Sequence, residues 1–139
     1  MNMIKYTEVL DPANDRVFRF VIADSMDEVC KAFPFHYEPK PEEYKTALAM
    51  HGGMTCPERA IHINVLAIRA DKCTINSVMH ECLHATIEVF RFHGVKLTRA
   101  TEEAFATYHG WLCNEAIRAY TELGHEVITE APITLMKQP

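Results

Sequence analysis

Residues 74–94 read TINSVMHECLHATIEVFRFHG, from Thr74 to Gly94. Ile75, Val78, Met79, Cys82, Thr86, Val89 and Phe90 recur at steps of three and four, which predicts an amphipathic helix. Thr74 is placed to cap its start and Gly94 to stop it. Inside that helix lies His80-Glu81-Cys82-Leu83-His84, an H-E-x-x-H pentapeptide. Helical residues four apart are offset by about 40° in azimuth and roughly 6 Å along the axis, so both imidazoles lean to one side. A strand would send them apart.

Working outward, Arg59 to Arg69 (RAIHINVLAIR) predicts a strand covered on both sides, with Ile61, Ile63 and Val65 on one face and Leu66 and Ile68 on the other. Arg16 to Asp24 (RVFRFVIAD) predicts another, because the run is β-branched or aromatic and too short for a helix. Ser25 and Glu28 stand at a capping-box spacing before a short helix reaching Phe33, which Pro34 ends. Phe35 to Glu43 is expected to be irregular. A further strand is predicted over Tyr44 to Met50, ending at a Gly52-Gly53 turn. Downstream, Thr98 is the expected cap of a second long helix up to Gly124, with Glu102 and Glu103 in its early turns and Phe105, Tyr108, Leu112, Ala116 and Ala119 along one face. Residues 125–139 carry Pro132 and Pro139 and are expected to be extended.

The 139 residues amount to one ordinary domain, 1–139, and 48% apolar with 24% charged residues is the balance of a chain that folds. A formal charge of −5 repels polyphosphate, which makes nucleic acid a poor partner. No run approaches eighteen apolar residues and no apolar segment follows Lys5, so neither a membrane nor a secretory route is expected. The five cysteines form no C-x-x-C pair, so the expected setting is a reducing cytosol. Eight histidines are about twice the usual share or more, and His is the commonest metal ligand.

A catalytic zinc takes three protein ligands and keeps a water in the fourth place. His80 and His84 supply two. Glu81 flanks the open position and can take a proton from that water, whose pKa the metal lowers towards about 7. The third ligand is expected at Glu102 or Glu103. On a helical wheel Glu102 shares a side with Ala106 and His109, whereas Glu103 points between Ala106, Thr107 and Gly110. One of the two carboxylates needs a cation, and the other is a solvated first-turn charge.

HECLH, followed by Glu103-Ala104-Phe105-Ala106 and Gly110-Trp111-Leu112, resembles the small phage-type metallopeptidases of the zincin fold, in their gluzincin arrangement of H-E-x-x-H plus a downstream Glu. The likeness covers roughly Ile61 to Ala119. It implies an α+β minimal zincin, with a small mixed sheet packed on an active-site helix and a glutamate helix behind. It also implies zinc held by His80, His84 and Glu103, with Glu81 as general base for peptide-bond hydrolysis. By the same likeness, the strand near Arg59 to Arg69 would pair with an extended peptide substrate. A chain this small calls for a homodimer or another partner to complete a cleft.

Two other readings use the same residues. Glu81-Cys82-Leu83-His84 and Glu122-Leu123-Gly124-His125 are both E-x-x-H, as in carboxylate-bridged di-iron oxidoreductases. A non-catalytic zinc would close its fourth position with His109 or a cysteine. Tyr108, His109, Tyr120 and His93 are candidates for steadying an oxyanion, and Thr107 for holding Glu103. Cys82 and Cys113 read as core thiols. His36, His51, His62 and His125 read as structural or exposed.

Overall fold

The computed structural model describes residues 3–36, 47–56, 58 and 61–129. It is a mixed α+β arrangement, a four-stranded sheet with helices on both faces. The strands are β1 (Ile4–Asp11), β2 (Arg16–Ala23), β3 (Ala49–Cys56) and β4 (Ile61–Arg69); the helices are α1 (Met26–Ala32), α2 (Ile75–Phe92) and α3 (Glu102–Glu122). Sheet order is β1-β2-β4-β3, with β2 and β4 parallel and both outer pairs antiparallel.

The period-two alternation of the central strands sorts the core into two layers. Phe18, Phe20 and Ile22 of β2 face the same side as Leu66 and Ile68 of β4, under α2 and α3. Val17, Val21, Ile63, Val65 and Ala67 face the other side, under Met26 and Val29 of α1. Cover on at least part of both sides is what the run at 59–69 predicts, and β2, the strand predicted at 16–24, is covered in the same way. Ser25 Oγ accepts from Glu28 N at 3.3 Å and Thr74 Oγ1 from Ser77 N at 3.3 Å, so both expected caps are formed. Gly94 adopts φ 72° and Val95 N donates to Phe90 O at 2.9 Å, the left-handed stop that glycine allows.

Four expectations are corrected. β1, which packs half-buried against β2, was not foreseen. Gly52 and Gly53 do not turn the chain: among the described residues the strand predicted over 44–50 begins at Ala49 and runs through both glycines, paired with Val65 and Asn64 of β4, to Cys56, and a Cβ on Gly52 would stand 2.6 Å from Phe35 Cδ1. Thr101, not Thr98, precedes the second long helix; its Oγ1 donates to the Lys96 carbonyl and caps no helical N–H. Finally β4 has β2 and β3 on its two sides, so its backbone is not free for a peptide; β3 is the edge strand on that side. Of the predicted tail, Ile128 bridges to Thr74 at the start of α2. Residues 37–46, including most of the irregular stretch and Tyr44, lie outside the described residues, as do 130–139.

Candidate metal centre

The helical period turns Glu81, Cys82 and Ala85 into the core and leaves His80 and His84 at the surface. The two imidazole Nε2 atoms are 3.1 Å apart, with ring centroids at 4.8 Å. Two ligands at 2.0–2.1 Å from a tetrahedral zinc would be about 3.4 Å apart, so the pair fits one ion with little adjustment. The same spacing serves as an N–H···N bond between neutral rings. Burial, and then His80, lower the His84 pKa, which keeps that ring neutral at pH 7, the form a metal binds.

Glu81 is 6% exposed, and its Oε1 lies 4.0 Å from His80 Nε2. Burial pushes its carboxyl up to about 7, in the range a general base requires near neutral pH. His80 and Glu81 line a small hollow with Leu48 and Ala49, at the start of the β3 edge.

Glu102 and Glu103 both begin α3 in exposed positions, where the helix N-terminus favours negative charge. Glu103 lines a cavity that α2 borders with Val89 and Phe90. At 100° per residue those two stand about 140° and 120° around α2 from His84. The structure therefore joins His80, His84 and Glu81 on α2 and sets Glu103, on α3, against another side of α2. Among the described residues no group of three or more His, Cys, Asp and Glu side chains is arranged to hold a metal ion. Thr107 lines the same cavity as Glu103.

The remaining candidates have other partners. Tyr120 is fully buried, donating to Leu66 O at 2.8 Å, and Tyr108 donates to Asp11 Oδ2 at 2.7 Å. His109 Nε2 lies 3.2 Å from Met79 O and 3.4 Å from Cys113 Sγ. Cys82 and Cys113 are buried core thiols, as expected. His93 is exposed. Glu122 is the last residue of α3 and Gly124 has φ 88°, so the second E-x-x-H does not sit on a helical face.

A polar network that the sequence reading passed over adjoins the imidazole pair. Glu88 follows His84 by one turn; its Oε1 is 2.9 Å from His62 Nε2 and its Oε2 is 3.4 Å from His51 Nε2. His51 Nε2 also bonds Asn64 Oδ1 at 2.9 Å, and the His36 ring lies 5.3 Å from that of His62. Gly53 makes room for this: a Cβ there would stand 3.0 Å from His62 Cε1 and 3.2 Å from Glu88 Oε1. The spacing His80, His84, Glu88 was the available signal, but the strand partners His51 and His62 become neighbours only through the β3–β4 register.

Burial raises the Glu88 pKa, while the His62 hydrogen bond and the His51 and His62 charges lower it further than that, for a net fall below 4.5. A depressed carboxyl contributes stability that is present above its unfolded value and lost as pH drops through the folded one. Glu88→Gln is therefore expected to cost about 1–3 kcal/mol at pH 7 by leaving the imidazoles short of their acceptor. That cost should shrink below pH 4.5, and urea melts of both chains at pH 7 and pH 3.5 check it. No protein-family model, no curated protein and no solved structure matches this chain.

Proposed function

We propose that the protein is a zinc-dependent metallopeptidase with a minimal zincin-like fold, working in a reducing cytosol on peptide substrates. The observation that carries this reading is the His80–His84 pair, two Nε2 atoms 3.1 Å apart on one helix face beside the buried Glu81 carboxyl. His80 and His84 would hold the ion, with Glu103 as third ligand on the strength of the family resemblance. That last assignment asks the first turn of α3 to approach the imidazoles, since Glu103 here borders a different cavity. When bound, zinc would acidify a water and polarise a carbonyl.

The chain's own groups supply the rest. Glu81 takes a proton from the attacking water and can return it to the departing amine. His51 and His62 hold Glu88 and so fix the α2 turn that follows His84. β3 is the edge strand that borders the hollow containing His80 and Glu81, and an extended peptide backbone would pair with it beside that hollow, since at Gly53 the carbonyl already accepts from His36 N at 2.9 Å.

Metal analysis of protein purified without added zinc tests the reading. One zinc per chain is expected, lost in His80→Ala and in Glu103→Ala. Substoichiometric metal, or an unchanged content in His80→Ala, would remove the metallopeptidase. Retention in Glu103→Ala alone would move the third ligand elsewhere.

A further inference from the structure

A second site, on another side of α2 from the imidazole pair, lies where α2 and α3 meet the β1–β2 turn. It is a cavity of about 830 Å³ whose wall carries Asp11, Phe90, Glu103, Tyr108 and Trp111. The three rings stand edge to face, Phe90 to Tyr108 with centroids at 5.7 Å and Tyr108 to Trp111 at 5.5 Å. All three are only half-buried, so ring surface is left open.

At one end of this aromatic wall stands a fixed negative charge. Asp11 is 7% exposed, and its carboxylate accepts from Tyr108 Oη at 2.7 Å, Asn14 Nδ2 at 2.8 Å and Ala13 N at 3.1 Å. Burial raises its pKa, but those donors more than offset this and bring it below 3.8, so the group is ionised at pH 7. Among the described residues it makes no ion pair. Its cross-strand neighbour Arg16 is turned onto the Phe92 ring, 4.1 Å from the centroid, and of the charges acting on it that of Glu88 is the strongest. Among the described residues the lining contains no Lys or Arg; His93 is the one basic side chain among them, and it is exposed.

Aromatic faces with a desolvated carboxylate attract an organic cation, which keeps its apolar body off water while the rings and the carboxylate take its charge. Concave volumes of roughly 300–1,000 Å³ are the size of small-molecule sites rather than of flat protein interfaces. We propose that this cavity binds a small organic cation with an apolar body, of the quaternary-ammonium class.

Trp111 is the chain's single tryptophan, so its fluorescence reports this wall alone. The experiment titrates the intact chain with choline and with 3,3-dimethylbutan-1-ol, its uncharged isostere, in the presence of a chelator so that zinc content has no bearing. Choline is expected to give a saturable change with at least tenfold higher affinity than the alcohol, and Asp11→Asn to bring the two within about twofold. No saturable change with choline, or equal affinities on the unaltered chain, overturns the proposal. That comparison needs no variant, and so decides the matter even if Asp11→Asn does not fold.

Discussion

Glu81→Gln is expected to abolish hydrolysis, keep zinc, and make the metal-free protein more stable at pH 8. A positioned general base contributes about 10²- to 10⁴-fold, and glutamine cannot accept the proton while changing the shape little. The stability gain has a separate origin. Burial raises the Glu81 carboxyl from 4.5 to about 7, a difference of about 2.5 units. At 1.36 kcal/mol per unit, the ionised side chain opposes folding by up to about 3 kcal/mol. Between pH 4.5 and 7 the folded chain holds a proton that the unfolded chain has released. The penalty is therefore absent below pH 4.5, grows through that window and is complete above 7. Urea melts of the chelated proteins should give matching stabilities at pH 4 and a gap of a few kcal/mol at pH 8, in favour of the variant. Equal stability at pH 8 would show that the carboxyl is better solvated than its burial implies. A group kept at a cost to folding is characteristic of residues retained for chemistry.

Phe18→Ala is the largest expected loss of stability. Phe18 is completely buried on β2 and meets Tyr108 and Trp111 of α3 with ring centroids at 6.4 and 6.1 Å. Removing a buried ring typically costs about 3–5 kcal/mol, because the transfer energy is lost and a cavity remains. Against a total of about 5–15 kcal/mol for a domain, much of the protein's margin would go. Since Phe18 supports the inner side of Trp111, the emission should also shift to the red in whatever fraction stays folded. An unchanged melting temperature with an unshifted spectrum would mean that α3 is anchored elsewhere, with Phe20 against Tyr120 the next contact to remove.

The strong local patterns were legible because their cause is local. β2 and β4 are rich in β-branched and aromatic or other apolar residues, and α1 and α2 have hydroxyl caps followed by apolar positions at helical spacing. β1 escaped because Lys5, Thr7 and Glu8 interrupt its apolar residues, which form no long run. Gly52 and Gly53 resemble a turn in sequence, and only the Phe35 ring and the His62–Glu88 pair explain why a strand runs through them. The same limit holds at the site. His80, Glu81 and His84 could be read from helical spacing alone. Glu88 lies on α2, His51 on β3, and His62 and Asn64 on β4, and the strand residues meet because β3 and β4 pair in one particular register. Glu103 was chosen by likeness, and where it lies depends on the crossing of α2 and α3, which no pattern within either helix encodes.

The parallel pairing of β2 with β4 also bears on how the chain acquires its shape. Val17 must find Ile63, and the intervening loop contains α1 and the whole of β3. Closing so long a loop costs entropy before any apolar layer rewards it, which is the topology of a slow folder. The floor beneath the pentapeptide, Leu66 and Ile68 beside Phe20 and Ile22, exists only after that closure. The Glu81 carboxyl is thus buried, and its proton affinity raised, only once the sheet has assembled beneath α2.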